Sequence, residues 1–168
     1  TKTLSHKAIE SAIKHKIYLI GENRIQETEE KIKNLNQKNR KKIKLHLIGN
    51  LQSNKIKKAI ILYDVIETVY REKQLIKINQ HAFEKNKTQK IYIQINIGND
   101  KKKQGVSIKN LNNLIKTTQN MKNVLITGLM TILPNSITKD KQEQYYKKMQ
   151  ELFDKIKKKC KECKNLSM

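Results

Sequence analysis

The sequence has few of the residues that usually anchor protein cores and turns. Its 168 residues include no tryptophan, 5% aromatic residues and a single proline, Pro134. We therefore expect a core built mainly from isoleucine and leucine. No apolar run approaches the length of a membrane-spanning helix, and no secretory signal peptide is recognised. The length fits one domain, which we expect to be cytoplasmic.

Cysteine is also scarce, with Cys160 and Cys163 forming one C-x-x-C spacing. A zinc site needs further ligands nearby, and the four histidines supply no second paired spacing. A redox motif favours a strand–loop–helix setting, whereas these cysteines follow a long lysine-rich helical pattern. We expect surface or half-buried thiols and no metal site, in keeping with a reducing compartment.

Acidic residues are few, so the formal net charge is +22. Arg24, Arg40 and Arg71 are the only arginines, although arginine is the residue that best recognises phosphates and base edges. The lysines are spread along nearly every segment, and Lys, Asn and Ile are the residues that AT-rich codons encode. We therefore expect weak, salt-sensitive attraction to nucleic acid and no specific nucleic-acid partner.

Hydrophobic patterns alternate between the strand and helix periods along the chain. Residues 91–97 give the clearest strand, because four isoleucines alternate with Tyr92, Gln94 and Asn96. One face of this strand is expected to meet a helix layer and the other to fill or line an interior. The patterns predict strands at 17–20, 45–48, 65–69, 91–97 and 124–131, with a last strand opening at Leu166. Helices are predicted at 5–16, 24–36, 54–62, 72–84, 108–118 and 141–159. Such alternation implies a parallel sheet, either open or closed.

Two loops follow predicted strands, where parallel α/β folds build their sites. The first, residues 21–27, reads GEN-x-x-Q-E, and the second, residues 46–55, reads H-x-I-G-x-L-Q-S-N-K. Ser53 and Asn54 are expected to cap the helix that follows the second loop. Alternatively, these two residues and Gln52 could line the rim of the site.

These loops resemble those of the pyridoxal phosphate homeostasis family. Thr1-Lys2-Thr3, residues 93–97, residues 128–132 and Leu166-Ser167-Met168 also match, in the order and spacing of that family. The resemblance implies a (β/α)₈ TIM-type barrel, like the barrel domain of alanine racemase, that holds pyridoxal 5′-phosphate (PLP). Family members have no established catalytic turnover.

The resemblance also implies that the barrel is incomplete. The chain begins at the tip of the first strand of the family and stops inside the seventh, so that the eighth strand is absent. We therefore expect residues 1–168 to be a single PLP-binding domain truncated at both ends. Unpaired strand edges would favour poor stability or aggregation.

Individual site residues follow from the same resemblance. Lys2 occupies the place of the lysine that forms the internal aldimine with PLP. Asn23 is expected near the cofactor ring, or is an ordinary turn asparagine. His46 is expected inside the barrel, either as a satisfied interior histidine or with a chemical role. Met130 is expected beneath the ring or in the plain core, and Ser167 in the phosphate site.

A lysine-rich loop, residues 100–105, aligns with a family loop that reads roughly E-x-S-K-x-G. Its lysines, Lys101, Lys102 and Lys103, could attract an anionic cofactor. A solvated loop is the more common meaning of such a run.

Three functions remain open at this point. The first is a monomeric PLP carrier that releases the cofactor to apo-enzymes and has no membrane partner. The second is a PLP-dependent amino-acid racemase, which would need a second catalytic group. The third is a basic nucleic-acid-binding module, against which the lack of an aromatic stacking platform argues.

Overall fold

The computed structural model describes residues 5–100, 102–135 and 137–168. Helices and strands alternate through these residues, as the hydrophobic patterns predict. The helices are α1 (His6–Lys14), α2 (Ile25–Lys33), α3 (Gln37–Lys42), α4 (Ile56–Leu62), α5 (Glu72–Phe83), α6 (Ile108–Thr118) and α7 (Lys139–Lys159). The strands are β1 (Leu19–Glu22), β2 (Lys44–Leu47), β3 (Val65–Val69), β4 (Gln89–Ile95), β5 (Val124–Thr131) and β6 (Asn165–Ser167). A short 3₁₀ turn, Ser53–Lys55, precedes α4.

The strands form one sheet in the order β1-β2-β3-β4-β5-β6, and every neighbouring pair is parallel. A parallel pair requires a crossover between its strands, and helices supply most of these crossovers here. The described residues therefore form a parallel half-barrel of six strands. This architecture is consistent with the predicted incomplete barrel, and the total of eight strands stays a prediction.

The two faces of the sheet are buried in different ways. The isoleucines of β4, Ile91, Ile93 and Ile95, are almost fully buried in the main core, where helix residues such as Leu75 and Ile78 also lie. Val65, Tyr92 and Met130 form a separate buried cluster. The alternation predicted for residues 91–97 is thus confirmed, and the part of the second face around Tyr92 is also shielded from water.

Most predicted elements are present with small shifts at their ends. Helix α3 was not predicted, because its sequence QKNRKK contains no apolar residue from which a period could be read. Its N-cap is Asn36, whose side chain accepts a hydrogen bond from the backbone N–H of Asn39 at 2.8 Å. The capping prediction for Ser53 and Asn54 was wrong. Both residues lie inside the 3₁₀ turn, and neither that turn nor α4 starts with a side-chain cap.

A buried ion pair fastens α2 to the end of β1. The ammonium of Lys31 donates to both carboxylate oxygens of Glu22, at 3.0 and 2.8 Å. Both residues are buried, with 6% of Lys31 and 1% of Glu22 exposed. Charges removed from water in this way need a partner. The pair therefore fixes the position of the loop that follows Glu22.

We predict that Lys31→Met lowers the free energy of unfolding by about 3 kcal/mol, because the buried Glu22 carboxylate loses this ammonium. Urea denaturation followed by circular dichroism measures the change. Lys33→Met, at an exposed position of the same helix, is the matched control and should change stability by less than about 0.5 kcal/mol. Equal effects of the two substitutions would contradict this role for the pair.

The two cysteines differ in exposure. Cys160 follows the last residue of α7 and is half-buried, whereas Cys163 is fully buried. Burial raises the pKa of the Cys163 thiol to about 12. No group of three or more His, Cys, Asp or Glu in the described part of the chain could hold a metal ion. The prediction of surface or half-buried thiols therefore holds for Cys160 and was wrong for Cys163.

We predict that iodoacetamide at pH 8 alkylates Cys160 and spares Cys163, because the thiolate is the reactive form and burial suppresses it. Mass spectrometry of tryptic peptides distinguishes the two sites. In Cys160→Ser, alkylation of Cys163 should require urea. Fast alkylation of Cys163 in the folded variant would refute the prediction.

Candidate functional site

A cavity opens at the carboxyl ends of the strands, as expected for a parallel barrel. Its volume is about 280 Å³, and we call it the upper cavity. Loops that follow β1, β2 and β4 contribute most of its walls. The lining residues are Asn23, Ile48, Gly49, Asn50, Thr68, Gln94, Lys102, Lys103, Gln104 and Ile132.

The loops after β1 and β2 are in direct contact at Gly49. A Cβ atom added to Gly49 would overlap the backbone oxygen of Asn23 and would lie 2.7 Å from its side-chain oxygen. The backbone N–H of Ile48 donates to the Glu22 oxygen at 3.0 Å, and the Thr68 hydroxyl donates to the Gly49 oxygen at 2.7 Å. These contacts join the ends of β1, β2 and β3 into one rim, and they require glycine at position 49.

Gln94, near the end of β4, presents a buried acceptor to the upper cavity. Its side-chain N–H donates to the backbone oxygen of Gln104 at 3.2 Å, which fixes the orientation of the amide. Its side-chain oxygen is buried and has no hydrogen-bond partner among the described residues. Because a buried acceptor without a partner costs about 1–3 kcal/mol, this oxygen is suited to a donor from a bound molecule.

The loop after β4 brings positive charge to the cavity. The Asn96 side chain holds this loop by donating to the Asp100 and Lys103 oxygens, at 2.8 and 3.2 Å, and by accepting from the Asp100 N–H at 3.0 Å. Lys102 and Lys103 line the upper cavity, and its described lining includes no carboxylate. The cavity therefore favours an anion.

Met130 and Ser167 lie level with Gln94 across the sheet. Gln94 pairs in register with Met130 on β5, and Met130 pairs with Ser167 on β6. Met130 is buried against Val65 and Tyr92, whereas Ser167 is half-buried. The sheet thus brings the two predicted positions together at the carboxyl ends of their strands.

His46 lies deeper in the interior than the upper cavity. Its Nδ1 is 2.6 Å from Oε1 of Glu67, and its ring is nearly perpendicular to the ring of Tyr92, with centroids 5.9 Å apart. The second Glu67 oxygen is buried and has no hydrogen-bond partner in the part of the chain that the structure describes. The pKa of Tyr92 is raised to about 12, mainly by burial and to a smaller extent by the negative charge of Glu67. His46 is therefore an interior histidine with a carboxylate partner.

The predicted site residues are thus placed at different levels. Asn23 lines the upper cavity, Met130 and Ser167 share its end of the sheet, and His46 lies below it. Lys2 lies outside the described residues. Gln94 and Glu67 were not predicted as site residues. Gln94 could have been found, because it is a polar residue on the inner face of the alternating segment 91–97.

Comparisons with known proteins agree with this geometry. The sequence profile of the alanine racemase N-terminal domain family matches residues 3–168. The pyridoxal phosphate homeostasis protein of Aquifex aeolicus is 31% identical over 156 residues, which cover 93% of this chain and 67% of that protein. The protein of the same name from Buchnera aphidicola (subsp. Schizaphis graminum) is 35% identical over 160 residues, which cover 95% of this chain and 69% of that protein. The chain therefore spans about two thirds of the length of these relatives.

Solved structures show the same architecture. PipY of Synechococcus elongatus, solved with PLP bound, has a TM-score of 0.87 and 25% identity, covering 99% of this chain and 77% of PipY. An alanine racemase of Clostridium difficile has a TM-score of 0.78 and 13% identity, covering 96% of this chain and 43% of the racemase, and this likeness concerns the fold alone. Together with the half-barrel, these matches show that the chain belongs to the pyridoxal phosphate homeostasis protein family, whose barrel is of the alanine racemase N-terminal type.

Proposed function

We propose that this chain binds PLP in the upper cavity and serves in PLP homeostasis. The observation that carries the proposal is the likeness to PipY over 99% of the chain, since PipY was solved with PLP bound. The names of the relatives from Aquifex and Buchnera point to the same role. Proteins of this kind would keep a reactive aldehyde bound until an apo-enzyme receives it.

The lining of the upper cavity fits the chemistry of PLP. Lys102 and Lys103 suit its phosphate, because ammonium groups bind phosphate as point charges. Ile48 and Ile132 supply apolar surface for a ring, and the free Gln94 oxygen offers an acceptor for a donor group of the ligand. A Cβ at position 49 would collide with Asn23, so glycine keeps this wall open.

Lys2 is our candidate for the covalent attachment of PLP. When bound, the cofactor supplies an aldehyde that condenses with a lysine amine to form a Schiff base. Lys2 is proposed because the family motif around it is followed by all the downstream motifs in register. Asn23, Met130 and Ser167 are proposed to contact PLP. His46 is proposed to pack beneath the residues that contact the cofactor.

A carrier without turnover is favoured over a racemase. Two-base racemisation needs an acid–base group opposite the lysine. Lys102 and Lys103 are the titratable residues in the described lining of the upper cavity, and both are proposed to bind the phosphate. This assignment supports binding and release of PLP. We further propose a cytoplasmic monomer whose recipients are apo-enzymes.

We predict that Lys2→Ala abolishes the single borohydride-reducible PLP adduct, because its amine is the attachment point. PLP titration followed by borohydride reduction and peptide mapping measures this. The matched control is Lys7→Ala, at an exposed position of α1, which should keep the adduct at Lys2. Adducts scattered over many lysines and unchanged in Lys2→Ala would refute the assignment. Racemisation of L-alanine by the PLP-loaded protein would refute the absence of turnover.

We predict that Gln94→Leu weakens PLP binding about tenfold, because one buried hydrogen bond to the ligand contributes about 1–1.5 kcal/mol. Fluorescence titration of the folded variant measures the affinity. Gln89→Leu is the matched control, since Gln89 is also buried on β4 with an unpartnered oxygen but does not line the upper cavity. An equal loss of affinity in both variants would count against a direct role for Gln94.

A further inference from the structure

A second cavity lies at the opposite end of the half-barrel, at the amino ends of the strands. Its volume is about 580 Å³, and we call it the lower cavity. Its walls include Leu19 and Lys44, the first residues of β1 and β2, and Lys90 and Leu125, the second residues of β4 and β5. Its described lining shares no residue with that of the upper cavity.

The lower cavity carries an excess of positive charge. Lys44, Lys87, Lys90 and Lys164 line it, against the carboxylates of Asp64 and Glu162. Concave walls concentrate the field of such charges and attract anions.

The two carboxylates already have partners. Asp64 accepts from the backbone N–H of Leu45 at 2.8 Å and lies 3.6 Å from the Arg40 guanidinium. Glu162 lies 3.7 Å from the Lys164 ammonium. Among the described residues, neither carboxylate forms an ion pair with Lys44 or Lys90.

The Lys87 ammonium is bound by backbone oxygens and not by a carboxylate. Its ammonium donates to the backbone oxygens of Ile60 and Tyr63, at 2.7 Å each, and burial lowers its pKa. Lys44 and Lys90 are thus the lysines of this cavity whose ammonium groups have no partner among the described residues.

Sheet register places these two lysines on either side of β3. His46, two residues after Lys44, pairs with Val65, and Val65 pairs with Lys90. Because one strand separates β2 from β4 and the lysines are offset by two residues along the strands, their Cα atoms lie roughly 12 Å apart. Lysine side chains are long and flexible enough for both ammonium groups to reach one anion from this distance.

The floor of the lower cavity is less polar than its rim. Val65, Tyr92 and His46 line it, and each is 6% exposed. Glu67 fixes the His46 ring, and Tyr92 packs against that ring edge to face. A ligand with an anionic head and a small ring would therefore meet the ammonium groups at the rim and the ring side chains at the floor.

We propose that the lower cavity is a second binding site, for a small phosphate monoester that carries an aromatic or apolar group. The phosphate binds between Lys44 and Lys90, and its apolar group contacts Tyr92 and Val65. The site goes beyond the proposed PLP function and does not depend on it, because it lies at the other end of the strands.

Phenyl phosphate is the probe, and calorimetric titration of the full chain measures its affinity. The double variant Lys44→Gln/Lys90→Gln should bind it at least about tenfold more weakly, because two charge-assisted hydrogen bonds are lost. Lys73→Gln/Lys77→Gln removes the same charge from exposed positions of α5 and should leave the affinity unchanged. Inorganic phosphate should bind more weakly than phenyl phosphate, since it lacks the ring.

Two readouts distinguish binding in the lower cavity from binding elsewhere on the chain. Ring signals of Tyr92 in a carbon-resolved NMR spectrum should shift on titration, and the borohydride-reducible PLP adduct at Lys2 should form unchanged in the Lys44→Gln/Lys90→Gln variant. Equal weakening in both double variants would indicate general attraction to a basic surface and would overturn the proposal. Binding of phenyl phosphate that is weakened by Gln94→Leu and unchanged in Lys44→Gln/Lys90→Gln would place it in the upper cavity and would also overturn the proposal.

Discussion

Parallel hydrogen bonding between strands that follow one another in the chain is the constraint on which the molecule depends. It directs the carboxyl end of every described strand to one rim of the half-barrel. Residues that are far apart in the sequence, such as Asn23 after β1 and Gln94 on β4, thereby reach one cavity. The amino ends gather at the opposite rim for the same reason, which creates the lower cavity. Both proposed sites are consequences of one pairing pattern.

A polar layer separates the two cavities inside the half-barrel. His46 and Glu67 form its centre, and Tyr92 packs beside them. Both members of this pair are buried, so each depends on the other for its hydrogen bond. The unpartnered Glu67 and Gln94 oxygens lie on neighbouring strands, β3 and β4. The interior of the half-barrel therefore contains buried polar groups that can accept hydrogen bonds, in contrast to the isoleucine-rich layer beneath the helices.

The large lysine excess has little part in the fold itself. Most lysines are exposed, and exposed ion pairs contribute about 1 kcal/mol or less. Lys31 and Lys87 differ, because burial forces each ammonium onto defined acceptors. Lys102 and Lys103 above, and Lys44 and Lys90 below, are placed by strands and loops where they face a cavity. Position, and not abundance, gives these lysines their proposed roles.

The order of strands and helices could be predicted from the amino-acid pattern, because the periods of apolar residues record which faces are buried. The two loops that bear Asn23 and Gly49 were also predictable, since their motifs are local. Helix α3, whose residues have no apolar period, and the burial of Cys163 were not predicted. Three relations became visible in the folded chain alone: Gln94 presents an oxygen to the upper cavity, Glu67 partners His46, and Lys44 and Lys90 lie on either side of β3. These relations join residues on different strands, and register between strands follows from packing across the whole sheet.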